Sequence, residues 1–270
     1  MIYFGEAVKE KLKNIVEDNY YIITDFDRTL TAGDTISTWG ALSESGMMPT
    51  RYAEDRQALY DKYRAYEIDL TLDEKTKCAY MLEWWEKHRA LFFEYGVPKN
   101  IFEQVGCNNS LFRYRKGVKK FLALMNSKDI PVLIFSAGVG DIISSSMHNN
   151  GILFENVQIV SNFMQYDECT VSGVEGTVIH SLNKNEESIG ADFAEKIVGK
   201  SYVFVFGDGI DDVRMIPKHK ENRSIKIGFC ETNEKESLQK YKEVFDIVCT
   251  NNTSFEELLR SLKEQYGFCF

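Results

Sequence analysis

Three apolar segments that each end in polar residues constrain the fold of this 270-residue chain more than any other feature. They lie at residues 20–31, 130–138 and 201–212. Apolar runs of this length that stop at small or acidic residues indicate buried strands. If the three strands are parallel neighbours in an α/β sheet, their carboxyl ends share one crevice, which is where such sheets bind ligands. We therefore predict an α/β fold with a functional site at that edge of the sheet.

The first segment carries two aspartates one residue apart, Asp25 and Asp27, followed by Thr29. Side chains alternate across a strand, but where the strand gives way to a loop both carboxylates can converge on one group. The pair suits phosphoryl transfer, because one carboxylate can attack phosphorus while the other donates a proton to the leaving oxygen. Thr29 would add a hydroxyl for a phosphate oxygen. Two solvated surface aspartates at a strand end are the alternative interpretation of this segment alone.

The other two segments also end in groups that suit a phosphate site. Ser136 closes the second strand, and residues 140–150 have the pattern of a helix that Gly151 ends. A serine that faces a helix N-terminus can contact phosphate, because free backbone N–H groups and the positive end of the helix dipole point the same way. The third segment ends in a glycine and a run of carboxylates, Gly207 to Asp212.

The carboxylates at these strand ends predict a magnesium site. Asp25, Asp208 and the backbone carbonyl of Asp27 offer oxygen ligands, which Mg²⁺ prefers. A cation is also needed because an anionic nucleophile must approach an anionic phosphate, and Mg²⁺ with one lysine can neutralise that repulsion. Lys184, ahead of a helix-like stretch at residues 186–198, is the candidate lysine. No zinc pattern competes, since the four histidines are scattered and the six cysteines show no C-x-x-C spacing.

Together these segments resemble the motifs of the haloacid dehalogenase superfamily of phosphohydrolases. The four motifs correspond here to Asp25-Phe26-Asp27-Arg28-Thr29, Ser136, Lys184 and Gly207-Asp208-Gly209-Ile210-Asp211-Asp212. Residues 135–141, 160–164 and 179–184 look like the F-S-A-G-I-G-D, V-S-N-F-M and I-H-x-F-N-K segments of the cytosolic type III pyrimidine 5'-nucleotidases. The similarity extends from about residue 20 to the end of the chain.

The resemblance implies a Rossmann-like parallel-sheet core with an inserted α-helical cap domain, and it implies a role for each matching position. Asp25 would be the nucleophile and a magnesium ligand, and Asp27 would be the acid/base that also offers its carbonyl to the metal. The remaining positions would bind phosphate or metal: Ser136 and Ala137 hold the phosphate, Lys184 pairs with it, Asp208 binds magnesium and Asp212 supports the metal shell.

The resemblance also implies contacts with a nucleobase, and here the chain departs from the family. Glu67 falls where the family has a glutamate that meets the base. His88 stands where a serine contacts the base, and Arg28 stands where the animal enzymes have methionine. Residues 31–50 do not match and are several residues fewer than in the family. These departures concern base selectivity and leave the phosphate chemistry intact.

The stretch between the first two strands lacks strand patterning and predicts the helical cap. Helices are expected at residues 50–66 and 72–94, the second opened by a capping box from Thr71 to Glu74. Aromatic residues recur at helical spacing in both, which indicates either helix packing or a surface on which a planar base stacks.

We place the domain boundaries at the ends of this insertion. The catalytic core is predicted to comprise residues 1–32 and 106–270, and the cap residues 33–105.

Charge and composition restrict the partners. The formal net charge of −9 argues against a nucleic-acid polymer, whereas a small phosphorylated substrate held by a few local cations is compatible with it. With no secretory segment at residues 1–5, no apolar run near 18 residues and no paired cysteine spacing, we expect a reduced, cytoplasmic protein without membrane attachment. A monomer or weak oligomer is expected.

These observations predict a magnesium-dependent phosphomonoester hydrolase that acts on nucleoside 5'-monophosphates through an aspartyl-phosphate on Asp25. Hydrolysis of a sugar phosphate or another small phosphometabolite is the alternative, because residues 31–50 do not match. A non-catalytic phosphometabolite-binding protein is disfavoured, since both Asp25 and Asp27 are present. Dehalogenase chemistry is disfavoured by Asp27, because that reaction has no leaving oxygen that needs a proton.

Overall fold

The computed structural model describes residues 1–16, 18–69, 71–231 and 235–270. The strands within these residues are β1 (Ile2–Phe4), β2 (Tyr20–Thr24), β3 (Val132–Val139), β4 (Val157–Asn162), β5 (Met164–Asp167), β6 (Thr170–Val174), β7 (Tyr202–Gly207), β8 (Ser224–Cys230) and β9 (Ile247–Thr250). Seven of them form one sheet in the order β1-β9-β8-β7-β2-β3-β4. All neighbours in it are parallel except β1, which runs antiparallel to β9. β5 and β6 form a separate hairpin.

Helices cover both faces of the sheet and fill the long insertion. The α-helices of the described residues are α1 (Val8–Lys13), α2 (Thr38–Glu44), α3 (Thr50–Ile68), α4 (Glu74–Glu94), α5 (Lys99–Gly106), α6 (Val118–Ser127), α7 (Gly140–Asn149), α8 (Ala191–Lys196), α9 (Lys235–Val244) and α10 (Phe255–Tyr266). The fold is therefore the α/β, Rossmann-like architecture that the sequence predicts.

The three predicted strands are β2, β3 and β7, and they are adjacent. Thr24 at the end of β2 pairs with Ile134 on one side and with Phe206 on the other. Because successive side chains of a strand point to opposite faces, Ile22 packs into one buried apolar cluster and Ile23 into another. Burial on both faces holds the three carboxyl ends in one row.

The predicted cap helices are confirmed as α3 and α4, but the predicted capping box is wrong. Asp73 is the N-cap of α4, and its side chain accepts hydrogen bonds from the backbone N–H and hydroxyl of Thr76. Thr71 instead donates its hydroxyl to Asp69, which closes a turn before the helix.

Two other predicted helices differ in extent. The helix after β3 is α7, and it ends before Gly151, whose φ of +60° suits a residue without a Cβ. The predicted helical stretch at residues 186–198 is only in part α-helical. A 3₁₀ turn covers Glu186–Ser188, and α8 covers Ala191–Lys196.

Helices α2 to α5 lie between β2 and β3 in the chain, where the cap is predicted. They share one buried apolar cluster with the core, in which Trp85 and Phe92 of α4 lie with Val139 and Ile142. The predicted boundary near residue 105 falls at the end of α5. There Gly106 lies so close to α7 that a Cβ would sit 2.7 Å from the carbonyl oxygen of Ile142.

Among the described residues, no helix has the length and apolar character needed to cross a bilayer.

Candidate active site

Asp25 and Asp208 lie side by side at the carboxyl edge of the sheet. Asp25 directly follows β2 and donates its backbone N–H to the carbonyl of Phe206 in β7. Asp208 directly follows β7. This edge is the row of strand ends at which the sequence places the site.

Lys184 lies in the middle of the carboxylates. Its Nζ donates to Asp25 Oδ1 at 2.5 Å and to Asp212 Oδ1 at 2.9 Å, and all three side chains are buried. The lysine reaches this position from a loop 159 residues along the chain from Asp25. Pairing compensates the burial of the charges, because an unpaired buried ion is strongly disfavoured.

Three carboxylates form a cluster that fits a cation. Oxygens of Asp25, Asp208 and Asp212 all lie within 4.8 Å of one another. Asp212 also accepts from the backbone N–H of Gly209, and a Cβ on Gly207 would lie 2.4 Å from the Asp212 Cβ. Glycine at position 207 therefore allows the close approach of Asp212. Oxygen-only donors in a buried cluster fit a hard divalent ion such as Mg²⁺.

Crowding of like charges changes the proton affinities of the cluster. Burial raises the pKa of Asp25 well above its usual range, with the Lys184 charge opposing this effect. Burial and the neighbouring Asp212 raise the pKa of Asp208 to about 7. Burial alone would lower the pKa of Lys184, but the charges of Asp212 and Asp25 outweigh it and raise the pKa. A bound divalent cation would favour the ionised carboxylates, so the cluster and a metal suit each other.

Asp27 faces a different set of partners. Its two carboxylate oxygens accept the backbone N–H of Thr38 at 3.1 and 3.2 Å, and Oδ2 accepts the Thr38 hydroxyl at 3.1 Å. Burial raises the pKa of Asp27 to about 6, against the lowering effect of these hydrogen bonds. A carboxyl group with such a pKa can hold and release a proton near neutral pH.

The residues predicted to hold phosphate line the same edge. Ser136 is buried in β3, and its Oγ accepts the backbone N–H of Gly138 at 3.0 Å. Ala137 offers its carbonyl to the side chains of Asn162 and Trp39. Among the described residues, the buried hydroxyl of Thr29 has no hydrogen-bond partner.

Asn162 joins the loop of Ser136 to the loop of Lys184. Its buried amide donates to the carbonyls of Ala137, Gly138 and Ile179, and its Oδ1 accepts the backbone N–H of Ile179. One side chain therefore fixes two loops that belong to different strands.

Arg115 supports the loop that follows Asp27. Its buried guanidinium donates to the carbonyls of Arg28 and Thr29 at 2.5 and 3.0 Å and pairs with Glu231 at 2.6 Å. Arg28 has a φ of +58°, which is uncommon for a residue with a Cβ, and the arginine holds its carbonyl in place.

The cap meets the core on the side of Lys184. Glu67 of α3 accepts the hydroxyl of Ser181 at 2.6 Å and also pairs with Arg64. Its side chain is 17% exposed, so it is neither fully solvated nor part of an apolar core. At a second contact, Glu74 of α4 receives two hydrogen bonds at 3.1 Å from Arg214.

Aromatic rings of the cap pack against one another. His88 of α4 stacks on Trp39 with ring centroids 4.9 Å apart and an interplanar angle of 2°, and the centroid of Trp84 lies 5.9 Å from that of His88. Burial lowers the pKa of His88 to about 3, so its ring is neutral. Among the described residues, His88 Nε2 and Trp84 Nε1 are buried without a hydrogen-bond partner.

The structure thus brings together Asp25, Asp208, Asp212 and Lys184, places Asp27 and Ser136 at the same edge, and leaves Glu67 and His88 in the cap. The sequence-based reasoning missed Thr38, Arg115 and the hydroxyl of Tyr241, which donates to the carbonyl of Asp208. Their contacts join segments far apart in the chain, and no local pattern signals them. Asn162 lies in a recognised segment, V-S-N-F-M, yet that motif does not reveal what it bonds to.

Comparison with known families agrees with this geometry. The family described as Pyrimidine 5'-nucleotidase (UMPH-1) matches residues 22–264. The chain belongs to this family. The matched range begins within β2 and includes the other strands of the large sheet except β1, together with every residue placed at the site above.

Relatives described as 5'-nucleotidases align over most of the chain. A 7-methylguanosine phosphate-specific 5'-nucleotidase of Homo sapiens is 30% identical over 88% of this chain and 82% of the relative. A protein of the same description from Drosophila melanogaster is 29% identical over 91% of this chain and 80% of the relative.

A solved structure of cytosolic 5'-nucleotidase IIIB bound to cytidine superposes with a TM-score of 0.85 at 26% identity. It covers 98% of this chain and 93% of that one. A phosphoserine phosphatase structure with a TM-score of 0.57 and 18% identity, covering 89% of this chain and 97% of its own, shares the fold.

Proposed function

We propose that this protein is a magnesium-dependent 5'-nucleotidase that hydrolyses nucleoside 5'-monophosphates through an aspartyl-phosphate on Asp25. The observation that carries the proposal is the buried arrangement of Lys184 between Asp25 and Asp212, with Asp208 beside them, at the carboxyl edge of the sheet. Membership of the pyrimidine 5'-nucleotidase family and the described activities of its relatives support the substrate class.

The reaction needs two steps that the side chains at this edge can perform. A carboxylate oxygen of Asp25 attacks phosphorus while the bond from phosphorus to the nucleoside oxygen breaks, and Asp27 donates a proton to that oxygen. Water then attacks the phosphorus, Asp27 takes its proton, and inorganic phosphate leaves as Asp25 is regenerated. The carboxyl pKa of about 6 suits Asp27 to both proton transfers.

The residues that surround the phosphoryl group would hold it and balance its charge. We assign Ser136, the backbone at Ala137, Thr29 and Lys184 to phosphate binding. Asp25, Asp208 and the Asp27 carbonyl would hold Mg²⁺, and Asp212 would support that shell, since its oxygens already bond to Lys184 and Gly209. When bound, Mg²⁺ supplies positive charge that offsets repulsion between the nucleophile and the phosphate.

The cap offers groups that suit a nucleobase. The indole rings of Trp39 and Trp84 are partly exposed and pack against the buried, neutral ring of His88. A base that stacks on such indole rings gains about 1–3 kcal/mol. Glu67 is at the boundary between cap and core, where a carboxylate can accept hydrogen bonds from ring or exocyclic N–H groups. We assign Glu67 and His88 to base binding. A relative described as cytosolic supports a cytoplasmic location.

A substrate panel tests the proposal. Phosphate release is measured with Mg²⁺ for cytidine, uridine, guanosine, adenosine and 7-methylguanosine 5'-monophosphates, with ribose 5-phosphate as the baseless control. We expect at least one nucleotide to exceed ribose 5-phosphate in kcat/KM by tenfold or more, since a stacked base adds about 1–3 kcal/mol of binding. A preference for ribose 5-phosphate over every nucleotide would assign the protein to small-phosphate hydrolysis instead.

A further inference from the structure

We propose that Thr38 is the positioning residue that orients the Asp27 carboxyl group for proton transfer to the leaving oxygen. The inference rests on the proposed hydrolase function and adds a residue from the segment 31–50, to which the sequence motifs assign no role. Thr38 is fully buried and is the first residue of α2, after the N-cap Ser37.

The contacts between Thr38 and Asp27 restrict the carboxyl group more than a single hydrogen bond would. The Thr38 backbone N–H is shared between the two oxygens, and the hydroxyl donates to Oδ2 alone. Rotation of the carboxyl group about its own axis would break at least one of these contacts. Oδ2 accepts twice, whereas within the described part of the chain Oδ1 carries only the shared amide. Oδ1 is therefore the oxygen better able to exchange a proton with a substrate.

A further hydrogen bond fixes the position of the Thr38 hydroxyl. It accepts the backbone N–H of Val139, the last residue of β3, at 3.1 Å. An ionised Asp27 can only accept, so the Thr38 hydroxyl donates its proton to Oδ2 while one of its lone pairs accepts from Val139. Gly138 leaves the space for this contact, because a Cβ at that position would lie 2.4 Å from the Thr38 Oγ1.

The same helical turn contacts the phosphate loop and the cap. Trp39, the next residue, donates its indole N–H to the carbonyl of Ala137 at 3.1 Å and stacks on His88 of α4. Asp27 is thus oriented by a helix that is docked on the phosphate side and packed against the cap. Thr38 does not reach the reacting atoms in this arrangement and acts only through Asp27.

Proton donation matters most when the leaving group is poor. The ratio of the rates on esters with poor and good leaving groups therefore reports on Asp27, whereas a general loss of structure would lower both rates alike. Cytidine 5'-monophosphate and ribose 5-phosphate release alkoxides, whereas 4-nitrophenyl phosphate releases a phenolate that needs little protonation. The comparison uses kcat/KM, because kcat/KM reports phosphoryl transfer to Asp25 and excludes the later attack by water, which both esters share. We expect Thr38→Val to lower kcat/KM on whichever alkyl ester the wild type prefers by about 10- to 100-fold, and on 4-nitrophenyl phosphate by less than about threefold, since an acid contributes roughly 10²–10⁴-fold. Asp27→Asn should show the same selectivity with a larger loss.

Two further variants separate orientation from folding. Thr38→Ser keeps the hydroxyl and should restore most of the alkyl-ester rate. Thr35→Val is the matched control, because the Thr35 hydroxyl is buried in the same segment but donates to the carbonyl of Arg113. It should lower the melting temperature without changing the ratio of the two rates.

The outcomes separate this inference from the proposed function. A Thr38→Val protein that loses both rates equally, or neither, would overturn the positioning role. Wild-type preference for ribose 5-phosphate over all nucleotides would contradict the nucleotidase assignment alone, because the leaving-group comparison can be made with either ester. A wild type without any phosphatase activity would overturn both.

Discussion

At the scale of one residue, the contacts of Lys184 both stabilise the fold and support catalysis. Its ammonium group pairs with Asp25 and Asp212, and it opposes the rise that burial causes in the pKa of Asp25. A nucleophile must be ionised, so the lysine that compensates the burial of Asp25 also favours its reactive form. The bonds from Lys184 to both aspartates therefore serve folding and catalysis together.

Replacing Asp25 by Asn should abolish turnover and preserve the fold. Asn has nearly the same shape but cannot form an acyl phosphate, and it removes a buried charge whose partner Lys184 still has Asp212. We expect kcat to fall at least about a thousandfold, as for other lost nucleophiles, while the melting temperature changes little. Phosphate release and thermal unfolding measure the two effects, and residual hydrolysis within tenfold of wild type would contradict the covalent mechanism.

Glu67→Ala should weaken nucleotide recognition more than chemistry. The loss in kcat/KM for the preferred nucleotide should correspond to about 1–3 kcal/mol, carried mostly by KM, because a buried hydrogen-bonding group is left unpaired. Ribose 5-phosphate should be affected much less.

Glu83→Ala is the cap control for this comparison, because Glu83 accepts the Tyr63 hydroxyl within the cap. It should leave the ratio between nucleotide and ribose 5-phosphate unchanged. If Glu67→Ala affected all phosphates equally, the base-binding role of Glu67 would be wrong.

At the scale of one element, α4 uses its buried face for two purposes. Trp85 and Phe92 pack into the apolar cluster that joins cap and core, while His88 on the same helix stacks on Trp39. Burying a histidine in this way stabilises the fold only while the ring is neutral. The helix therefore links cap packing to pH.

His88→Phe should remove part of the acid sensitivity of the fold. The pKa of His88 is about 3 in the folded protein against an ordinary 6.5, so below pH 6.5 the unfolded chain takes up a proton that the folded protein does not. Stability is therefore unaffected above pH 6.5 and falls as pH decreases from there toward 3. At pH 5, protonation of His88 in the unfolded chain lowers the free energy of unfolding by about 2 kcal/mol.

Denaturant unfolding at pH 7.5 and pH 5 measures how much the free energy of unfolding falls between the two pH values. Phe is the replacement because its ring can still stack on Trp39. His148→Phe on α7 is the control, because His148 is exposed to water in the folded protein, and its pH dependence should match wild type. Equal acid sensitivity in His88→Phe and wild type would mean that His88 is protonated in the fold.

At the scale of the whole molecule, the site exists only because distant segments converge. Asp25 lies directly after β2, Lys184 in the loop before α8, and Asp208 directly after β7. The hydroxyl of Tyr241 in α9 donates to the carbonyl of Asp208. An unfolded chain has no such cluster. A cation that binds the cluster therefore binds the folded state selectively and stabilises the entire domain.

Mg²⁺ should raise the melting temperature of the wild type, and Asp208→Asn should remove this effect. The substitution should also raise the melting temperature of the metal-free protein, because three crowded carboxylates become two while Lys184 remains. Chelation should abolish hydrolysis, and Mg²⁺ or Mn²⁺ should restore it. Ca²⁺ should not, since its longer bonds and looser shell spoil the in-line geometry. A metal-dependent shift that survives in Asp208→Asn would place the metal elsewhere.

Local patterns in the sequence were sufficient for the strands and for the acidic groups at their ends. The strands β2, β3 and β7 are buried on both faces, so each is a continuous apolar run that can be recognised from composition alone. Asp25 and Asp208 are the next residues in the chain after β2 and β7. The cap helices α3 and α4 were also predictable from their length and periodicity. The start of α4 was not, because Thr71 and Asp73 are both of residue types that suit an N-cap. In the fold Thr71 donates to Asp69, and Asp73 caps the helix through Thr76.

Only the tertiary structure decided which side chains support those groups. Thr38 donates a hydrogen bond to Asp27, and Arg115 donates one to the carbonyl of Arg28. Glu67 accepts one from Ser181, 114 residues away in the chain. A hydrogen bond between distant segments depends on where the whole fold places two atoms to within a few tenths of an ångström, and no periodicity in the sequence encodes that distance. The sequence by itself therefore determined the three central strands and the reactive carboxylates at their ends, while contacts between distant segments of the fold determined how those carboxylates are oriented.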